Sequence, residues 1–261
     1  MFFYPRNRNR PFHLGSYPLE VLPRDSALEG PEAERPQRPV PAPRSPAVAG
    51  SLSEALRKYT DIFAASASGD VAPATAPVPD DLDLRATDVK GGGYFMDADQ
   101  MGICRLPANA WIEGIEPQAH GFAVVILVAE PRQPEEGNLA RAWVGGAEAD
   151  IAAFRAAEIA VCLAGHIRNM GFAAHAHVSG ESLLDLERLA VLAGLALRRG
   201  DRLDNPYIRS GFQLAAISTA YSMACDAPLA ASAGDAKGLR YWWGINGARS
   251  GREINRRARR A

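Results

Sequence analysis

GFAVVILVAE, residues 121–130, is an unbroken run of branched and aliphatic side chains between a glycine and an acid. A half-exposed strand would alternate apolar and polar residues, and this run does not. It is also too short to cross a bilayer as a helix, which takes about 20 residues. The run therefore reads as a β-strand buried on both faces, a pattern found where a sheet is covered on each side. That one strand asks for a layered domain, with elements on both sides of a sheet.

Downstream the periodicity changes. Over 148–170, Ile151, Phe154, Glu158, Val161, Cys162, Gly165 and Ile167 crowd one broad face, so the spacing predicts a long helix with Gly171 as its C-terminal stop. FAAHAHV, 172–178, has strand alternation: Phe172, Ala174, Ala176 and Val178 share one face, and Ala173, His175 and His177 the other. Leu184, Leu189, Val191, Leu192 and Leu195 predict a second helix over 181–198, closed by Arg198, Arg199 and a Gly200 stop. GFQLAAISTAYS, 211–222, is another strand. The order β, α, β, α, β predicts a three-layer α+β or α/β core.

Upstream, PRDSALEGPEAERPQRPVPAPRSPAVAG, residues 23–50, carries six prolines between Pro31 and Pro46. Proline supplies no backbone donor to a helix or sheet ladder, so this is an extended linker or wrapping arm. Ser51 and Glu54 have capping-box spacing, and Leu52, Leu56, Tyr59 and Phe63 recur at helical intervals, predicting a short helix over 52–66. Pro73, Pro77 and Pro79 follow. The chain divides into an extended arm, 1–80, a compact core, 81–235, and an aromatic and basic tail, 236–261, with Tyr241, Trp242, Trp243 and Ile245.

Composition bounds the chemistry. With 261 residues and 47% hydrophobic content the chain can bury a substantial core. A net charge of −1 gives no overall field toward nucleic acid or an anionic membrane. Arg6, Arg8 and Arg10 near the start, and six arginines against Glu253 in 249–261, read as solvated tails. Neither a nucleic-acid nor a membrane partner is expected. No apolar segment follows the basic start, so no secretory signal is predicted. Cys104, Cys162 and Cys225 are few, odd in number and far apart, which fits a reducing, cytoplasmic setting. They are also too few for a four-cysteine iron–sulfur cluster.

HIRNMGFAAHAH, 166–177, holds three of the five histidines. His175 and His177, two apart on one strand face, have chelating spacing and are candidate metal ligands, with His166 across the Gly171 turn. Glu181 and Asp185 follow at generic spacing, and no further ligand stands at motif distance. A strand with one polar face explains the same residues, so no metal is assigned. His166 reads as a core or interface histidine.

Several segments taken in order resemble a known family. They are IRNMGF, then AAHAH, LERLAVLAGLAL, GDRLDNPYIRSGF, QLAAIST and DAPL. Upstream, GGGYFMDADQMGICRLPANAW and HGFAVVILV continue the pattern, as do RPFHLGSYPLEVLPR at 10–24 and KGLRYWWGINGARSGREINRRARRA at 237–261. The chain resembles the cobalamin-dependent reductive dehalogenases, which share a nitroreductase-like core with the epoxyqueuosine reductases. The likeness is to the degenerate N-terminal half of the cytosolic, catabolic branch.

The resemblance implies a nitroreductase-like core, and cobalamin as the cofactor to consider. It implies no catalytic residues in this chain, because the family's catalytic tyrosine, basic pair and cluster cysteines belong to the other half. Three readings stay open. The first is a structural subunit that homodimerises or scaffolds a cluster- and cobalamin-bearing chain. The second is a cobalamin-binding or trafficking protein whose pocket would involve Tyr207, Gly211 and Phe212. The third is a flavin nitroreductase, for which no phosphate-binding helix start stands out.

Overall fold

The computed structural model describes residues 10–234. In chain order it forms helix α1 (Glu29–Glu34), α2 (Leu52–Ala64), α3 (Leu82–Phe95) and strands β1 (Gln100–Arg105) and β2 (Phe122–Ala129). There follow α4 (Arg141–Val144), α5 (Glu148–Asn169), β3 (Ala174–His177), α6 (Leu186–Leu192), β4 (Leu197–Arg199), β5 (Arg202–Asp204) and β6 (Phe212–Thr219). The main sheet has the order β1-β2-β6-β3 and is antiparallel at every pairing. The fold is α+β. Of the two classes the sequence left open, the parallel α/β arrangement is not adopted.

β2 is covered on both faces, as its composition demands. Val124, Ile126 and Val128 point into a core shared with α3 and α5, while Ala123, Val125 and Leu127 point into a second core. That second core holds Leu189 and Leu192 of α6, Trp111, and Leu19 and Leu22 from the arm. The inner face of α5 is rich in small residues, Ala152, Ala156, Ala160 and Ala164, so the helix can lie close against the sheet.

Both sheet edges are closed, which removes templates for further strand pairing. On β1, the Ile103 amide donates to the Asp226 carboxylate at 2.7 Å and the Met101 amide to the Tyr94 hydroxyl at 3.2 Å. On β3, the Ala176 amide donates to the Ala67 carbonyl at 2.9 Å. The buried Arg168 guanidinium donates to the carbonyls of Ala67 and Ala174, each at 3.1 Å.

Helix α2 is capped in a variant of the predicted box: the Ser51 hydroxyl accepts from the Glu54 amide at 3.2 Å, while the Glu54 carboxylate accepts at 2.7 Å from the amide of Gly50, one residue before the N-cap. Of its apolar positions Leu56 is buried and Phe63 packs on Phe154 at 5.5 Å, whereas Tyr59 faces outward. The long helix ends at Asn169, and Gly171 takes a left-handed φ of +87° just beyond it.

Two expectations are corrected. The helix expected over 181–198 is only α6, Leu186–Leu192. It starts where the Asp185 carboxylate accepts from the Arg188 amide at 3.2 Å, and it stops before Gly194, whose φ of +64° a helix cannot contain. Leu195, Ala196 and Leu197 remain buried in non-helical backbone, and Arg198–Gly200 belongs to the β4–β5 hairpin. The second correction concerns His166, expected in the core or at an interface: it is exposed on α5, so the core half of that expectation does not hold.

The arm lies along its own chain. Arg24 donates to the carbonyls of Gly194 and Ala227 at 2.9 and 2.8 Å, Glu32 pairs with Arg198 at 2.8 Å, and Arg188 donates to the Pro36 carbonyl at 2.6 Å. The tail from 235 onward, with the Tyr241–Ile245 cluster, lies outside the described residues.

Candidate functional site

Strand β6 joins two polar regions, one at each end. At its C-terminal end Ser218 is fully buried and sits between two imidazoles. His120 Nδ1 lies 2.8 Å from the Ser218 hydroxyl and His177 Nε2 lies 2.9 Å from it. The His175 ring packs 4.7 Å from His177, and Trp111 meets His177 edge-on at 5.9 Å.

The β3–β6 register sets His175 opposite Ser218, and the Gly121 amide donates to the Thr219 carbonyl at 3.1 Å, which draws His120 alongside. His120 had no signal in local spacing; only the pairing of β2 with β6 brings it to the pair foreseen on β3.

Electrostatics hold these rings neutral. Burial depresses the pKa of His177 well below its ordinary value, reinforced by His175 and His120. Burial also lowers His120, and for His175 the charge of Arg168 adds to burial. His177 Nδ1 is buried with no partner. Since a bare buried N–H is rarer in folded proteins than an unsatisfied acceptor, the network assigns the proton to Nε2. His177 then donates to Ser218, which donates to His120.

The one hydroxyl of the cluster, Ser218, is fully buried and closed to substrate. Among the described residues no group of three or more His, Cys, Asp or Glu side chains is arranged to hold a metal. Neutral imidazoles linked through a hydroxyl stabilise the sheet end.

At its N-terminal end β6 begins between two clefts. One, of about 470 Å³, lies between the arm and the sheet, with Arg38, Glu130, Glu187, Asp201 and Gln213 among its walls. The other, of about 500 Å³, lies under the β4–β5 hairpin, with Arg199, Arg202, Arg209, Ile208 and Leu203. Gly211 and Phe212 line both. The sequence reading placed a cofactor loop here, and the structure brings two of its three residues to cavities. Tyr207 instead points inward. It is buried, donates to the Pro18 carbonyl at 2.9 Å and packs on Tyr17 at 5.7 Å.

Cobalamin finds no fitting site in this loop. Each cleft has the volume of a pocket for a drug-sized ligand, about 300–1,000 Å³. A corrin ring with its amides and nucleotide loop exceeds a drug-sized ligand, and the Tyr207 ring is committed to the arm.

No protein-family model and no curated protein matches the chain. Solved structures do. The catabolic reductive dehalogenase NpRdhA matches at 40% identity and a TM-score of 0.74, over 86% of this chain and 31% of its own. A reductive dehalogenase studied for B12-dependent dehalogenation matches at 39% and 0.75, with the same 86% and 31% coverage. NpRdhA in complex with 3-bromo-4-hydroxybenzoic acid gives 40% and 0.74 over the same shares.

The fold is thus that of the reductive dehalogenases. The chain belongs to the reductive dehalogenase family and spans about a third of the length of the catabolic enzymes it matches.

Proposed function

We propose that this chain is a catalytically silent structural unit of a cobalamin-dependent reductive dehalogenase system, equivalent to the degenerate N-terminal half of the catabolic enzymes. The observation that carries the reading is the pairing of 40% identity with thiol scarcity. Reductive dehalogenation needs low-potential electrons brought to cobalt, and a [4Fe–4S] relay takes four thiolates per cluster. The whole sequence has three cysteines. Cys104 is buried in β1 with its thiol pKa pushed well up by burial, while Cys162 and Cys225 are exposed on α5 and after β6.

In this role the chain supplies a preformed α+β body against which a cobalamin- and cluster-bearing chain, or a second copy of itself, packs. A reducing, cytoplasmic setting suits its free thiols. Among the described residues no helix is long and apolar enough to cross a membrane.

The test incubates the purified chain with reduced cobalamin, a low-potential reductant and 3-bromo-4-hydroxybenzoic acid, and follows bromide release. The expected rate equals that of the corrinoid without protein. Bromide release that rises in proportion to the chain's concentration overturns the reading.

A further inference from the structure

The β4–β5 hairpin breaks a local rule. Arg199 and Arg202 are direct register partners across a two-residue turn. Such residues stand side by side on one face, and like charges there repel. Arg199 is relieved by Asp204 at 2.9 Å. Arg202 and Arg209 make no hydrogen bond or ion pair with any described residue, yet both line the same cleft of about 500 Å³.

The contrast with neighbouring arginines is sharp. Arg198, one residue earlier, pairs with Glu32 at 2.8 Å and Glu187 at 3.7 Å. Arg188 and Arg24 are taken up by carbonyls. Where this fold needs an arginine for structure it gives it a partner. The charged walls of the cleft are Arg199, Arg202 and Arg209 against Asp204, a balance of +2. Leu197, Leu203, Ile208 and Phe212 supply apolar surface beside that charge.

We propose that this cleft binds an organic phosphate monoester, with Arg202 and Arg209 gripping the phosphate and Ile208, Leu203 and Phe212 covering its apolar body. A phosphate monoester carries about −1.5 to −2 at neutral pH, which matches the charge excess, and guanidinium meets its oxygens in a bidentate fork. The apolar wall selects an organic body over the bare ion. The proposal does not rest on the silent-subunit reading.

The experiment is a calorimetric titration of the full 261-residue chain with phenyl phosphate at low salt, with inorganic phosphate, benzoate and phenol run in parallel. One phenyl phosphate is expected per chain, bound at least about tenfold more tightly than any of the three fragments, since each lacks part of the charge or the ring. Affinity should fall as salt is raised. The double variant Arg202→Gln/Arg209→Gln should lose at least about tenfold in affinity with its melting temperature unchanged. Arg141→Gln, on helix α4 and not among the cleft's walls, should bind as the parent does. Absence of binding, equal affinity for inorganic phosphate or benzoate, or full affinity in the double variant overturns the proposal.

Discussion

The two ends of β6 use polar side chains in opposite ways. At the Ser218 end the polar rings are spent on one network: two histidines share one buried hydroxyl, a third packs on His177, and burial, with neighbouring positive charge, holds all three neutral. At the Phe212 end the guanidinia of Arg202 and Arg209 face a cleft with no partner among the described residues. The lesson is about reading residues in place. Histidines are the usual emblem of a reactive site, yet here they are spent on each other. Arg202 and Arg209, which no sequence motif singled out, are left available.

The comparison can be broken from its middle outward. Ile217, fully buried between the two ends, belongs to the core proper. Ile217→Ala should cost about 2–5 kcal/mol in urea denaturation, more than a change at either end. Ser218→Ala should cost about 1–3 kcal/mol, because it leaves the buried His177 Nε2 without a partner. A cost near zero would mean that the histidine end is not the closed network described.

The sign of the pH effect sharpens the same point. Folded-state pKa values of His120, His175 and His177 lie below the ordinary 6.5. As pH falls below about 6.5 the unfolded chain takes up protons that the folded chain refuses, so stability falls with acid. The melting temperature should therefore drop between pH 7 and the depressed folded pKa values. In His177→Gln the slope should be shallower, and an unchanged slope would place the titration elsewhere. The smallest effect belongs to the open end: Arg202→Gln/Arg209→Gln should shift stability by no more than about 0.5 kcal/mol, since these side chains support nothing.

How much of this was legible in the sequence depends on range. β2 was readable because an apolar run has one outcome in a covered sheet. The long helix was readable because its face and its Gly171 stop agree. The family order was readable from segments taken together, and 39–40% identity to solved reductive dehalogenases bears it out. The second helix was misread because its leucines suit either a helix or a buried extended segment, and one glycine at 194 decides between them. The arm's role depended on partners far away in sequence: Arg24 reaches Ala227, and Glu32 reaches Arg198.

The candidate sites were legible only in part for the same reason. His175 and His177 share a strand face, which alternation gives directly. His120 joins them through a strand register that no local spacing encodes. Gly211 and Phe212 do line cavities, while Tyr207, two positions past the buried Asn205, is turned under the arm by contacts with Tyr17 and Pro18. Arg202 lies in β5 and Arg209 in the loop before β6, and they line one cleft only once the chain has folded.

The central claim is that this dehalogenase-like body works without a corrinoid of its own. Gel filtration of the purified chain in buffer containing hydroxocobalamin tests it most directly. The account predicts that the protein peak carries no corrinoid above the column's background. Co-elution of one corrinoid per chain would contradict it.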